Sequence, residues 1–243
     1  MHEGPQAFRW RLVGKTLPPV TATLRVGEAT RAAIYRRADA CGLLPLPDRF
    51  HRGSDRGHIH AFWLPEDADQ DGLIDHVLLF SASGLPEKLI PVLAEGGELY
   101  LGKLGRCRLA PDWMGHRAPG ALFGPAQHWV TTTPYVTPLS PLGRRGKLKR
   151  NPLSPEDQLH REIEKRGLSG LLAAAAVQSN TICAHHPIRP SEFVLRACRR
   201  RALPGAVGVG AELYFSEPIW GPLALGFGAH FGLGLFEPVD GFG

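Results

Sequence analysis

The stretch IHAFWLPEDADQDGLIDHVLLF, residues 59 to 80, governs how the rest of the chain is read. Two apolar runs, Ile59–Leu64 and Leu73–Phe80, flank an Asp- and Gly-rich segment, which predicts two strands joined by an acidic turn. Upstream, Gly27–Cys41 carries Ala29, Ala33, Ile34 and Ala38 on a helical stripe, with Gly42 as its stop. Further back, Phe8–Val13 alternates so that Phe8, Trp10 and Leu12 share one face of a strand. Between them, after Leu17-Pro18-Pro19, Thr21–Val26 reads as an extension of that strand or as an edge. Downstream, Pro86–Ala94 reads as a short helix ended by Gly96-Gly97, and Glu98–Leu109 as a further strand. The order is strand, helix, strand, strand, helix, strand.

That order is the ferredoxin-like unit. The Gly- and Pro-rich run from Ala110 to Pro125 then reads as a linker. Beyond it, Gln127–Thr133 reads as a strand and Ser154–Gly167 as a helix, with Ser154 as cap, Pro155 at the first position and Asp157 three residues on. Strand-like runs follow at Leu172–Val177, Phe193–Cys198, Gly210–Phe215 and Phe231–Phe236. These predict a degraded second copy of the first half, its second helix not visible. The expectation is an α+β protein of two tandem ferredoxin-like domains, 1–110 and 126–243, joined by a linker at 111–125 and ending in a glycine-rich loop.

Composition narrows the class. The 243 residues are 43% hydrophobic and 21% charged, which excludes a disordered, fibrous or coiled-coil chain and leaves enough length for sizeable cores. No apolar run reaches the roughly 18 residues of a bilayer span; the longest candidate is Leu168–Val177. The first residues lack the basic start and apolar stretch of a signal peptide, so a soluble, cytoplasmic protein is expected. Cys41, Cys107, Cys183 and Cys198 are widely separated with no CxxC pair, and read as buried free thiols. The 29 glycines and 22 prolines favour sheet with long loops over helical bundles.

The net charge of +5 is unevenly spread. The segment PLGRRGKLKR at 141–150 holds five cations (Arg144, Arg145, Lys147, Lys149, Arg150) and no anion, which equals the excess of the whole chain. Arg196, Arg199, Arg200 and Arg201 form a second cluster, whereas Asp48–His76 sets three arginines against seven acids. Such local concentration points to a polyanionic partner; with no amphipathic basic helix in view, nucleic acid is preferred over membrane. A solvated loop is the competing reading.

Three segments carry residues capable of chemistry. In GHIHAFW at 57–63, His58 and His60 project to one face of a strand, with His51 nearby. Paired imidazoles bind a metal or move protons near neutral pH, unless one is held structurally in the core. The run Asp67, Asp69, Asp71, Gly72, Asp75 matches the start of a calcium loop, but Leu78 stands where a bidentate acid is needed and the flanks read as strands. The plainer alternative is an Asp/Gly hairpin turn. Near the C-terminus, GPLALGFGAHFGLGLF places Gly226, Gly228, Gly232 and Gly234 around His230; such glycines either let backbone approach phosphates or kink a packed strand. No P-loop and no GxSxG nucleophile motif is present.

Four motifs together carry a resemblance: LPPVTATLRVGEATR at 17–31, GHIHAFWLPEDADQDGLIDHV at 57–77, TPYV at 133–136 and the C-terminal GPLALGFGAHFGLGLF. The last looks like the glycine-rich loop of the RAMP superfamily of CRISPR-associated proteins. The set resembles the Csb-type fused subunit of type I-G (formerly I-U) systems, specifically its repeat-RNA-processing half. The resemblance implies ferredoxin-like domains and a metal-independent endoribonuclease without cofactor, in which the 2′-OH beside the scissile phosphate attacks to leave a 2′,3′-cyclic phosphate. It implies that His58, His60 or His51 supplies the catalytic base, His58 foremost. Arg144, Arg145, Lys147, Lys149, Arg150, Arg199, Arg200 and the glycine-rich loop with His230 would hold CRISPR repeat RNA. It further implies retention on the crRNA 3′ hairpin among the other subunits of a type I interference complex. The alternative is a non-catalytic crRNA-binding subunit of that complex, and a third possibility is a metal-dependent hydrolase using His58, His60 and the aspartates.

Overall fold

The computed structural model describes residues 4–47, 50, 60–116, 121–142, 147, 149–178, 188–193 and 208–239. The chain forms two compact units, Met1–Gly120 with His230–Gly232, and Ala121–Ala229 with Leu233–Gly243.

Unit 1 is built on strands β1 (Ala7–Gly14), β2 (Phe62–Glu66), β3 (His76–Phe80), β4 (Gly97–Tyr100) and β5 (Arg106–Gly115), with helices α1 (Thr23–Ala40) and α2 (Ile90–Glu95). The sheet order is β2-β3-β1-β5-β4, antiparallel throughout. With β5 as fourth strand this is the ferredoxin-like order, and β4 is an added edge. Phe8, Trp10 and Leu12 alternate onto the helical face, as their spacing requires. Trp10 stacks on Trp63 with ring centroids 6.4 Å apart and donates its indole N–H to the Leu93 carbonyl of α2 at 2.8 Å. Each such fully buried ring contributes roughly 2–3 kcal/mol through desolvation.

Three expectations for this unit are corrected. Thr21–Val26 is not a strand: Val20–Ala22 makes a 3₁₀ turn and α1 begins at Thr23. Leu24 and Val26 gain more burial on the inner face of α1 than an edge strand would give them, and both are now almost fully buried. Glu98–Leu109 is two strands, not one, because Gly102 (φ +63°) and Gly105 (φ +86°) turn the chain and the Leu101 N–H closes the turn on the Gly105 carbonyl. Ala110–Gly115, read as linker, continues β5.

Unit 2 contains β6 (Ala126–Thr131), β7 (Tyr135–Val136), α3 (Pro155–Lys165), β8 (Leu172–Gln178), β9 (Gly208–Ile219), β10 (Leu223–Ala224) and β11 (Leu235–Pro238). Its central strands run β11-β6-β9, with β8 pairing the other side of β9. This is again the ferredoxin-like order, so the α+β class and its repeat are found as expected. The Ser154 box is formed: its hydroxyl accepts from the Asp157 N–H at 3.0 Å, and the Asp157 carboxylate accepts from the Ser154 N–H at 3.2 Å. Leu159 and Ile163 of α3 pack with Trp129, Tyr135, Leu213 and Phe236.

The glycine-rich segment occupies the chain position of the missing second helix, between β9 and β11. Phe231–Phe236 is therefore not a single strand: Ala229–Phe231 is a 3₁₀ turn, Gly232 and Gly234 take positive φ, and β11 starts only at Leu235. Pro134, which has no N–H, lies between β6 and β7, and threonine hydroxyls on either side of it take up backbone N–H groups of neighbouring strands. Thr131 Oγ1 accepts from the Ala211 N–H at 2.9 Å and Thr133 Oγ1 from the Leu235 N–H at 3.0 Å.

Candidate catalytic histidine pair

The lead-in to α1 is fastened to the acidic turn. Pro19 bridges Leu73, the Val20 N–H donates to the Gly72 carbonyl at 3.0 Å, and the Ile74 N–H donates to the Pro18 carbonyl at 2.7 Å. The first two resemblance motifs are thus one structural element. The tip of the glycine-rich loop, His230–Gly232, belongs to the same unit. A Cβ on Gly232 would stand 2.6 Å from Thr23 Oγ1 and 2.7 Å from Pro65 Cδ, so only glycine lets the tip lie down against α1 and β2.

This docking carries His230 to His60. Their rings meet edge to face with centroids 5.0 Å apart, and the Phe62 ring lies 4.9 Å from His230 on the same flank. Both imidazoles are half-buried. Two imidazoles so placed can border one reacting group, and imidazole is the side chain able to accept and donate a proton near neutrality. His60 was expected in a catalytic role and His230 in RNA contact; the structure brings the two together. His58 and His51, also expected, lie outside the described residues.

Elsewhere in unit 2, Gly226 and Gly234 are close-approach positions. A Cβ on Gly226 would meet the Val136 carbonyl at 2.4 Å and the Tyr135 ring at 2.8 Å, and one on Gly234 would meet the Leu225 carbonyl at 2.0 Å. The TPYV motif is thus what the base of the loop packs on. Burial raises the Tyr135 hydroxyl above its ordinary range, and the nearby Glu162 charge adds to this. Gly228 (φ +76°) turns the loop just before the 3₁₀ segment.

The Asp loop is a hairpin turn held by its own carboxylates. Asp67 accepts from the Asp71 and Gly72 amides, Asp71 from the Leu73 amide, and Asp75 from the Ala68 amide. Asp67, Asp69 and Asp71 can bring one carboxylate oxygen each within 4.8 Å of the others. Asp75 turns instead to His76, 3.0 Å away. Burial opposes ionisation of Asp75, but the His76 contact and the Ala68 amide outweigh it and hold the carboxyl below its ordinary value.

Of the basic residues, Lys147, Lys149 and Arg150 are exposed, and Lys149 Nζ donates to the Ser140 carbonyl at 2.7 Å. Arg144, Arg145, Arg199 and Arg200 lie outside the described residues. Cys107 is buried as expected; Cys41 is not, since it sits exposed at the C-terminal cap of α1. Among the described residues no helix is long and apolar enough to cross a membrane.

Sequence reasoning missed a charged network in unit 1. Arg9, nearly buried on β1, donates to Glu66 Oε2 at 3.0 Å and to Asp112 Oδ2 at 2.9 Å, and His76 Nε2 lies 3.8 Å from Asp112. Burial dominates at Glu66 and, despite Arg9, pushes its carboxyl up to about 7. Its Oε1 accepts no hydrogen bond among the described residues, which suits a carboxyl that holds its proton. The available signal was Arg9 alternating with Phe8 and Trp10, too weak to single out.

No family model matches the chain, and no curated protein matches it. Among solved structures it is similar to a Cas6 product complex, with a TM-score of 0.45 and 16% identity over 98% of this chain and 100% of that one. It is similar to a Cas6-related protein from Pyrococcus furiosus at a TM-score of 0.46 and 14% identity, over 98% and 99% of the two chains. It is also similar to Thermus thermophilus Cse3 bound to an RNA in a pre-cleavage complex, at 0.37 and 19%, over 96% and 98%.

Proposed function

We propose that this chain is an endoribonuclease of the CRISPR-associated RAMP class that cuts CRISPR repeat RNA without a metal, with His60 and His230 as its proton-transfer pair. The observation that carries the reading is the 5.0 Å edge-to-face approach of those two imidazoles, delivered from distant stretches of the chain. The four-motif resemblance and the basic segment support it.

In this reading the neutral ring of the pair takes the proton of the 2′-OH, whose oxygen attacks the adjacent phosphorus. The protonated ring gives its proton to the departing 5′ oxygen as the P–O5′ bond breaks. The products are a 2′,3′-cyclic phosphate and a 5′-OH, and arginine or lysine side chains stabilise the charged phosphorane between them. His58 and His51 stay candidates for either role by sequence. Lys147, Lys149 and Arg150, with Arg144, Arg145, Arg199 and Arg200, hold the RNA through its phosphates. After cutting, the chain stays on the 3′ hairpin and joins a type I interference complex.

A second reading, a non-catalytic crRNA-binding subunit, draws on the packing of Phe62 against His230, as around an imidazole kept for structure. Cleavage of repeat RNA in EDTA separates the two. The expected result is a cyclic-phosphate product from the wild type, and rates on the order of 10²–10⁴-fold lower for His60→Ala and His230→Ala with RNA binding retained. Loss of cutting in EDTA, or binding without any cutting by the wild type, would overturn the nuclease reading.

A further inference from the structure

The face of the unit 1 sheet turned away from α1 and α2 divides into two halves. In one, Arg9 hydrogen-bonds Glu66 of β2 and Asp112 of β5, and the Asp112 carboxylate, 2.9 Å away, answers its charge. The other half runs across β1, β5 and β4, and the strand register assembles it from distant stretches of sequence. Val13 pairs with Arg108, which pairs with Glu98; Arg106 pairs with Tyr100; Arg11 pairs with Ala110. Because partners across an antiparallel ladder share a face, Arg11, Val13, Arg108, Arg106, Tyr100 and Glu98 stand together. All six are exposed, Tyr100 by 55% and Val13 by 48%.

The chemistry of this half is cationic and aromatic. Three guanidiniums face the single carboxylate of Glu98, which accepts a hydrogen bond from the Tyr100 hydroxyl at 2.9 Å. Among the described residues Arg11 and Arg108 make no ion pair. The Arg106 guanidinium lies over the Tyr100 ring, 4.8 Å from its centroid, giving a cation–π pair at the sheet edge. Lys15 and Lys103 stand exposed close by in sequence, after β1 and just before β5. A planar ring with a guanidinium over it, bordered by cations that make no ion pair among the described residues, fits a chain of flat bases linked by phosphates.

We infer that this half of the unit 1 sheet is a binding platform for a single-stranded polynucleotide, with a base stacked on the Tyr100–Arg106 pair and phosphates on Arg11 and Arg108. It deepens the RNA reading and rests on it for the strand's identity, but it needs neither the histidine pair nor the glycine-rich loop.

The test uses the full chain with fluorescein-labelled rU12 and dT12 by anisotropy, and repeat-RNA cleavage measured separately. Tyr100→Ala is expected to weaken oligonucleotide binding on the order of tenfold, and Tyr100→Phe, which keeps the ring, to bind as the wild type. Arg11→Gln/Arg108→Gln is expected to lower the slope of log K against log salt by about 1.4, two phosphate contacts at about 0.7 each. Equal losses for rU12 and dT12 mean that the platform reads phosphate and base alone; a loss confined to rU12 means that it also reads the ribose. Wild-type affinity and slope in both variants, or no oligonucleotide binding by the wild type, would overturn the inference. Failure of repeat-RNA cleavage with these oligonucleotide effects intact would instead count against the nuclease reading alone.

Discussion

Gly27 and Phe231 lie backbone against backbone: a β-carbon on Gly27 would stand 2.9 Å from both the Cα and the carbonyl oxygen of Phe231, and 2.8 Å from the Trp63 carbonyl. The first helix and the loop tip beside His230 are therefore in contact at a point where no side chain fits. In a helix interior, Gly→Ala ordinarily stabilises by about 0.5–1 kcal/mol. Here all three nearest atoms are backbone and cannot swing aside, and overpacking of this kind costs about 1–3 kcal/mol. Gly27→Ala is expected to lower stability by about 1–2 kcal/mol. A denaturant midpoint equal to or above the wild type would show that the tip does not press on α1.

The Glu66 carboxyl predicts an unusual pH dependence. Its value in the fold, about 7, lies above the ordinary 4.5, so between those limits the folded chain holds a proton that the unfolded chain has released. Stability from this group is full below about pH 4.5 and is lost as pH rises through about 7, a change on the order of 3 kcal/mol. Glu66→Gln, neutral at every pH, is expected to remove that decline. Urea midpoints at about pH 5 and about pH 7.5 measure it; parallel pH trends in wild type and variant would mean that Arg9 keeps Glu66 ionised in the fold.

The basic segment is expected to act through phosphates. Replacing Arg144, Arg145, Lys147, Lys149 and Arg150 by glutamine should weaken RNA binding and flatten its salt dependence, each lost contact removing about 0.7–0.9 from the slope of log K against log salt. A filter-binding titration with an unchanged slope would return the segment to the status of a solvated loop.

How much of this was legible beforehand varies with the range of the interaction. The hairpin at 62–80, the alternation of Phe8, Trp10 and Leu12, and the Ser154–Asp157 box were all readable, because periodicity and capping involve residues a few positions apart. Thr21–Val26 was misread because Thr21, Thr23 and Val26 are residues that strands favour, whereas burial of Leu24 and Val26 decides for the helix. Glu98–Leu109 was misread as one strand although Gly102 and Gly105 were in plain view; their positive φ is a property of the turn rather than of the residues.

The site divides the same way. The residue types follow from the order of amino acids alone: an imidazole at His60, another amid glycines at His230, a contiguous basic run and an α+β chain of two similar halves. Folding, by contrast, sets His60 against His230, engages Arg9 with Glu66 and Asp112, and puts Arg11, Arg106, Arg108 and Tyr100 on one exposed face. Those outcomes depend on strand register and on backbone approaches that only glycine permits, and both are fixed by contacts between segments far apart in the chain.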